Sequence, residues 1–395
     1  MKEIHKIYSA NFLMGAAYSV AVIETLYRLS HGLDQTQIAL LSSVFFISYA
    51  LLEIPTGGFA DTFGHKKSVF LGLVIHALAP LLVGLSPTYS MFLIGAVLAG
   101  LGIALQSGAF SSLTHDIVLR QGMSENYPQV QGKSSAYLLL GTLSASSIVS
   151  LIYKDFPQLP YLLSSLFLFL AALLIYLVQW EFKGDKPSLQ IYFQKIKRGV
   201  LLSFAKKQIF GLIILGSVLF FVGSLYANNI HQPLQVLFGI PVALFGIIAA
   251  IFSGCKALVS AYSYKILQKI GSNASLLLSI FLTSFAFLVL SRINSITGVA
   301  IMLLLFLAAS FKDQILLILL QKEINNDERS TMLSTYSFLT FIIVGITMPL
   351  GGYGIDMFGI QNILLILSVL TLAAGLTGWL LFKYNQNTRS NISKV

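Results

Sequence analysis

The chain has 395 residues, of which 56% are hydrophobic and only 10% are charged, whereas soluble domains carry about 25% charged residues. A soluble fold of this size would leave far too much apolar surface in water, so the composition excludes an ordinary soluble enzyme or binding domain. Lipid can cover such a surface instead. The net charge of +10 does not indicate a nucleic-acid partner, because the basic residues are placed as membrane topology requires.

Apolar stretches long enough to cross a bilayer, which takes roughly 20 residues in a helix, recur along the whole chain. They are too long and continuous for barrel strands, which have about 10 alternating residues. The sequence therefore predicts an all-α polytopic membrane protein. The twelve predicted helices cover residues 7–29, 35–58, 68–86, 88–113, 133–153, 160–180, 208–230, 242–263, 273–291, 297–321, 331–352 and 360–383.

A basic stretch divides these helices into two sets of six. We predict an N-terminal bundle over residues 1–180, a cytoplasmic linker over 181–207 and a C-terminal bundle over 208–395. The linker charges fit a solvated segment that sets topology, and a specific lipid or regulatory contact is the alternative. Seven of its residues are basic: Lys183, Lys186, Lys195, Lys197, Arg198, Lys206 and Lys207.

The positive-inside rule tests the number of helices. With both termini in the cytoplasm, 20 of the 25 basic residues face inward, as the rule requires. One missed or invented helix would invert every later loop and destroy this bias. We therefore predict a multi-pass protein of the cell inner (plasma) membrane with both termini cytoplasmic.

A short segment between the second and third predicted helices carries the clearest motif. Residues 57–67 read Gly-Gly-Phe-Ala-Asp-Thr-Phe-Gly-His-Lys-Lys, and this segment resembles the signature loop of the major facilitator superfamily. The resemblance implies two pseudo-symmetric six-helix halves, transport of a small molecule by alternating access, and a gating role for the loop, with Asp61 as its latch carboxylate. The implied gating residues are Gly57, Asp61, Gly64, His65, Lys66 and Lys67.

His65 stands where an arginine is common in this family. Because histidine changes charge near neutral pH, we expect a latch that is either weaker or sensitive to pH.

Weaker copies of the motif recur where three-helix repeats place them. Gly352-x-x-x-Asp356-x-x-Gly359 repeats the spacing after the eleventh helix. After the eighth helix Tyr264, Gln268 and Gly271 fill the same slots, and after the fifth helix Leu151, Asp155 and Gln158 do so.

Charged residues inside predicted helices are candidates for proton coupling, since each costs roughly 2.5–3.5 kcal/mol in the bilayer. Glu24 and Arg28 lie one turn apart and form either a helix-end ion pair or a protonatable cavity site. Asp313 is placed to neutralise Lys256 or Lys312, either as a structural pair or as a switch that exchanges partners.

Two further carboxylates lie near the predicted helix ends. Asp116 closes the fourth helix and is expected to be an interface or latch residue rather than a substrate ligand. Glu53, just before Pro55, is expected to set the inner end of the second helix. The segments Leu52–Gly57 and Gln106–Asp116 resemble bacterial efflux members of the superfamily.

No phosphate-binding loop, metal-ligand cluster or catalytic elbow appears in the sequence, so we predict neither an enzyme nor a cofactor. The stretch from Gly141 to Ile148 lacks the glycine and proline pattern of proton-drug antiporters. We nevertheless expect a monomeric, proton-coupled exporter of a drug-like compound or a secreted metabolite such as a siderophore. An importer of a small metabolite is the first alternative, and a non-transporting sensor or scaffold is the second.

Overall fold

The computed structural model describes residues 2–180, 201, 207–324 and 329–392, and the described part of the chain is helical with short connections and no strand. The predicted linker lies outside these residues, apart from positions 201 and 207. The chain forms two compact units, Met1–Gln194 with Pro241–Ile251 and Lys195–Ile240 with Phe252–Val395.

The first unit begins with a broken helix. A 3-10 turn at Ser19–Val22 follows the first helix, and the next one is bent from it by 46°. A second break follows Ser107, where Gly108 takes a φ of +70°. The helices are α1 (Lys2–Tyr18), α2 (Glu24–Ser30), α3 (Gln35–Phe63), α4 (His65–Leu85), α5 (Tyr89–Gln106), α6 (Ala109–Arg120), α7 (Tyr127–Tyr153) and α8 (Leu159–Tyr176).

The second unit begins with a helix that contains one π-helical turn, Tyr226–Ile230. Its last helix is interrupted at Gly359, which has the non-helical angles φ 78° and ψ 160°. The helices in this part of the chain are α9 (Lys207–Leu225), α10 (His231–Leu237), α11 (Phe245–Ile270, of which Phe245–Ile251 belongs to the first unit), α12 (Ser272–Leu290), α13 (Gly298–Glu323) and α14 (Arg329–Ile392).

The described helices account for twelve membrane crossings. Ten apolar stretches are long enough to cross, and the bent pair α1–α2 makes an eleventh. The stretch Thr331–Leu380 has 50 residues, and at about 1.5 Å per residue it would span a core of about 30 Å more than twice. Because Gly359 interrupts it, α14 holds two crossings, and the predicted twelve-helix fold is confirmed.

Close glycine contacts hold the helices of the first unit together. A Cβ added to Gly141 on α7 would lie 1.9 Å from the carbonyl oxygen of Phe12 on α1, and one added to Gly15 would lie 1.9 Å from the carbonyl oxygen of Leu138. The Thr142 hydroxyl donates to the Gly15 carbonyl at 3.0 Å across the same contact. Small residues permit this backbone approach in a membrane, where packing replaces the hydrophobic effect between helices.

The motif segment is helical, contrary to the prediction of a loop over residues 57–67. Helix α3 continues to Phe63, α4 begins at His65, and Gly64 alone separates them with φ 98° and ψ 144°. The Gly64 N–H donates to the Ala60 carbonyl at 2.9 Å, and the Ser68 N–H donates to the Gly64 carbonyl at 3.2 Å. These backbone angles belong essentially to glycine, so one residue reverses the chain without a longer loop.

The same turn occurs in two of the weaker motif copies. Gly271 separates α11 from α12 with φ 81° and ψ 161°, and Gly359 interrupts α14 with φ 78° and ψ 160°. At the remaining repeat position, after the fifth predicted helix, Gln158 has φ −82° and ψ −26°, so this connection has a different backbone geometry. Three of the four repeat positions thus share one backbone geometry.

Candidate functional site

A cluster of one histidine and two carboxylates, here called the latch cluster (Asp61, His65 and Asp116), lies at the α3–α4 turn. The His65 Nδ1 is 2.8 Å from the Asp116 Oδ2. The His65 Nε2 is 3.8 Å from the Asp61 Oδ1. One imidazole therefore lies between a carboxylate of α3 and a carboxylate of α6, and three of the predicted residues come together.

Local geometry explains how the three side chains meet. His65 follows the one-residue turn at Gly64, and this turn brings its Nε2 to 3.8 Å from the Asp61 Oδ1 on the preceding helix. Asp116 comes from α6, which begins after the break at Gly108. This helix brings to the turn a carboxylate that is 51 residues from His65 in sequence.

The protonation state of the imidazole decides how many carboxylates it can bind. A neutral ring has one N–H donor, whereas a protonated ring has two. Only the protonated ring can donate to both Asp61 and Asp116. The three side chains are 35%, 21% and 29% exposed for Asp61, His65 and Asp116, so water screens the attraction and its strength is modest.

The remaining motif residues surround this cluster without joining it. The Lys66 ammonium lies 5.6 Å from the centre of the Tyr176 ring at the end of α8. Lys67 is exposed, and Gly57 lies within α3. Asp61 and His65 therefore form the bridging part of the motif, and Lys66 is the motif residue that contacts α8.

A polar contact between the chain start and the end of α8 was not predicted. The Lys6 ammonium donates to the Leu177 carbonyl at 2.6 Å, and the Glu3 carboxylate accepts from the Gln179 N–H at 2.8 Å. Lys6 and Glu3 also pair at 3.0 Å. Their i,i+3 spacing was the available signal, but it does not identify a partner 171 residues away.

A second polar group, here called the hydroxyl–carboxyl triad (Tyr49, Glu53 and Ser107), links α3 to the break between α5 and α6. The Tyr49 hydroxyl is 3.3 Å from the Glu53 Oε1 and 3.1 Å from the Ser107 hydroxyl. The Ser107 hydroxyl is 3.4 Å from the same Glu53 oxygen. Glu53 does not end the second helix as predicted, since α3 continues to Phe63.

Glu24 and Arg28 contact each other on α2, with Glu24 at the first position of this helix. The carboxylate is 33% exposed and the guanidinium 14%. The guanidinium therefore has a counter-charge one turn away, and a proton binding to Glu24 would have to compete with it.

In the second unit, Lys312 is buried on α13, with its ammonium 3.4 Å from the Leu219 carbonyl and 3.5 Å from the carboxylate of Asp313. Asp313 itself is 65% exposed. Lys256, the other predicted partner, is exposed, and its ammonium lies 5.6 Å from the centre of the Phe306 ring. Of the two partners considered for Asp313, the structure pairs it with its chain neighbour.

Among the residues that the structure describes, no group of three His, Cys, Asp or Glu side chains is arranged to hold a metal ion.

Known proteins resemble this chain in sequence and in fold. The sequence profile of the Major Facilitator Superfamily matches residues 7–311 and 212–395. An uncharacterized MFS-type transporter of Methanocaldococcus jannaschii is 21% identical over 393 residues, which is 96% of this chain and 98% of the relative. Multidrug resistance protein 1 of Bacillus subtilis is 24% identical over 182 residues, 46% of each chain.

Solved structures share the fold. A crystal structure of the nucleoside transporter NupG superposes with a TM-score of 0.82 at 14% identity, covering 97% of this chain and 100% of that one. A peptide transporter of the POT group superposes with a TM-score of 0.75 at 13% identity, covering 96% and 94%. At such identities the likeness concerns the architecture alone.

Proposed function

This chain belongs to the Major Facilitator Superfamily, and from that premise we propose that this membrane transporter of small molecules exports its substrate in exchange for protons. The proposed substrate is a drug-like amphiphilic compound or a secreted metabolite such as a siderophore. Transport proceeds by alternating access, with energy from the proton gradient, in a protein that needs no cofactor.

The latch cluster is the observation that carries the proposal. Asp61, His65 and Asp116 tie the α3–α4 turn to α6 through one titratable imidazole. A protonated ring binds both carboxylates and holds the turn against α6, whereas a neutral ring releases one of them. A contact that proton binding strengthens on one side of the membrane is suited to a gate in a proton-driven cycle.

Export is supported by the relatives rather than by the fold. The alignment to multidrug resistance protein 1 covers 182 residues, and multidrug resistance protein 2 of the same organism is 27% identical over 128 residues. The stretch at Gly141 lacks the antiporter pattern, but Gly141 itself still provides the close α1–α7 contact. We therefore propose that protons bind outside the stretch that carries the antiporter pattern in other family members.

The proposed topology follows the basic residues. Both termini and the latch cluster face the cytoplasm, and the protein is a monomer in the inner (plasma) membrane. Lys66 and Lys67 follow the turn at that face, where anionic lipids attract positive charge.

A proteoliposome experiment tests this function directly. The purified protein is reconstituted with an acidic lumen in an alkaline buffer, and the amphiphilic cation ethidium is added outside. Proton exchange predicts that ethidium accumulates inside while protons leave, and that a protonophore abolishes the accumulation. Protein-free liposomes under the same gradient correct for passive entry of the dye.

Other outcomes identify the alternatives. Accumulation that requires an inward proton gradient, in the same direction as the dye, would indicate a symporter that imports its substrate. Ethidium binding without any flux under either gradient would contradict transport of this class and favour a sensor.

A further inference from the structure

Glu53 is a partly buried carboxyl in the middle of α3, and hydroxyl groups surround its Oε1 atom. Tyr49 lies one turn earlier on the same helix, and Ser107 comes from the end of α5. The Tyr49 and Ser107 hydroxyls also contact each other at 3.1 Å. Three oxygen atoms thus form a closed triangle.

No described Lys, Arg or His lies within ion-pair distance of Glu53. The triad is therefore unlike the pair of Glu24 with Arg28. Tyr49 and Ser107 are the groups that face the carboxyl. The titratable groups on α2, α4, α5 and α6 make no described contact with it; they are Glu24, Tyr27, Arg28, His65, Lys66, Lys67, His76, Tyr89, His115, Asp116 and Arg120.

The number of available hydrogens determines how many edges of the triangle are hydrogen bonds. Each of its three oxygen–oxygen edges needs one hydrogen to be a hydrogen bond. The two hydroxyl groups supply one hydrogen each, and an ionised carboxylate supplies none. With an ionised Glu53, two hydrogens serve three edges, so on one edge the two oxygen atoms face each other with lone pairs and no hydrogen bond. A protonated Glu53 supplies the third, and each oxygen then donates once and accepts once.

The edge lengths are longer than those expected around an ionised carboxylate. Hydrogen bonds from a hydroxyl to a carboxylate are about 2.5–2.7 Å long, whereas the two edges to Glu53 are 3.3 and 3.4 Å. The shortest edge, 3.1 Å, joins the two hydroxyls. An ionised carboxylate would attract both hydroxyl hydrogens to itself and leave that edge without one.

The triad lies beside a proline in α3 and at the break between α5 and α6. Pro55, two residues after Glu53, lies inside α3 and has no N–H to donate. Ser107 is the last residue before Gly108, where α5 and α6 separate. The Thr56 hydroxyl joins the same helices by contacting the Ala104 carbonyl at 3.1 Å. A change in the triad therefore acts at points where both helices can bend.

We propose that Glu53 binds the coupling proton of this transporter, with Tyr49 and Ser107 holding the acid form. This inference rests on the proposed function for its role in coupling, but the site itself is defined by the triad. Binding a proton closes the triangle and links α3 to the α5–α6 break. Losing it turns both hydroxyls toward the carboxylate, which breaks the hydroxyl–hydroxyl bond.

The triad and the latch cluster act on the same segments. Glu53 and Asp61 are both on α3, eight residues or about 12 Å apart, and Ser107 and Asp116 lie on either side of the Gly108 break. A proton at Glu53 therefore changes the hydrogen bonds between α3 and the α5–α6 break. The latch cluster joins the same segments. Glu53 supplies the coupling site, and Asp61, His65 and Asp116 supply the gate.

Infrared difference spectroscopy tests the site without any substrate. The full chain in lipid bilayers is titrated with acid and alkali, and the C=O stretching band of protonated carboxylic acids is followed, with deuterium exchange for assignment. We expect a band that is present in the wild type and lost in Glu53→Gln. Glu53→Asp should keep a band with a changed frequency, because its shorter side chain alters both hydrogen bonds.

Matched variants make the assignment specific. Glu125→Gln removes an exposed carboxyl from the connection between α6 and α7 and should leave the band unchanged. Tyr49→Phe and Ser107→Ala should each shift its frequency, because each removes a hydrogen-bonding partner of the acid. A band that persists unchanged in both Glu53→Gln and Tyr49→Phe would overturn the proposal.

Transport measurements separate this proposal from the proposed function. In proteoliposomes, Glu53→Gln should lose ethidium accumulation driven by a pH gradient, but keep ethidium exchange in the absence of a gradient. If the wild type shows no gradient-driven transport while the infrared band still depends on Glu53, proton exchange fails and the site stands. Gradient-driven accumulation that survives in Glu53→Gln would contradict the coupling role of Glu53.

Discussion

The turns at Gly64 and Gly271 share one backbone geometry but carry different side chains. Each residue has a positive φ near 80–100°, accepts from the N–H four residues later and donates to the carbonyl four residues earlier. Asp61 precedes the first turn by three residues, and exposed Gln268 occupies that slot before the second. His65 follows Gly64, whereas Ser272 follows Gly271.

This difference separates two functions of one motif. Glycine supplies a reversal of direction in a single residue, and both units use it. The bridge to a third helix depends on side chains, and in the described residues it is formed at Gly64 through His65 and Asp116. The backbone turn is thus a structural element of the repeat, whereas the latch is a property of one copy.

The largest expected effect concerns the shared turn. Gly64→Ala and Gly271→Ala should each reduce the free energy of unfolding by about 1–3 kcal/mol, because alanine is strained in this glycine-only region. No atom lies within 4 Å of a Cβ at Gly271, so strain alone acts there. Unfolding in mixed micelles measures both values, and a large loss at one turn with none at the other would refute the shared geometry.

The next effect tests the latch. Asp61→Asn should reduce ethidium transport about fivefold, because it removes a charged acceptor whose bond is partly screened by water. Gln268→Asn at the matching slot should change transport less than about twofold. Transport rates in proteoliposomes, corrected for the amount of reconstituted protein, provide the comparison. Equal losses in both variants would mean that the side chains of the two turns are equivalent.

A smaller effect should appear in the pH dependence of exchange at equal pH on both sides. Ethidium exchange is compared between about pH 8 and about pH 5, because only a protonated imidazole donates to both carboxylates. Gate opening, and hence ethidium exchange, should be about threefold slower at the acidic end. His65→Arg keeps its charge throughout this range and should remove this part of the pH dependence. An unchanged profile in His65→Arg would exclude the latch as its source.

The smallest effect concerns Lys66, whose counterpart after Gly271 is Asn273. Lys66→Met should reduce the free energy of unfolding by about 0.5 kcal/mol, the value of an exposed cation–π contact, here with Tyr176. Lys67→Met, in which an exposed neighbouring lysine changes in the same way, is the matched control and should be neutral. Equal losses would assign the effect to net charge instead of the ring contact.

The fold could be predicted largely from the sequence, whereas the contacts within the candidate sites could not. Apolar stretches located the helices to within several residues, yet the predicted loop at 57–67 proved helical except for Gly64. The mean apolarity of a sequence stretch does not reveal a change of chain direction that a single residue makes. Glu53 and Asp116 were visible as carboxylates, but their partners Ser107 and His65 lie 54 and 51 residues away in sequence.

The sequence by itself determined the number of membrane crossings and the repeat positions that hold a glycine, because both depend on local properties. Burial in lipid requires about 20 apolar residues per helix, and a backbone region open only to glycine requires glycine. The tertiary structure alone decided that His65 lies between Asp61 and Asp116 and that, among the described residues, two hydroxyls and no cation contact the Glu53 carboxyl. These contacts depend on how α3 packs against α5 and α6, and that packing is a property of several helices together.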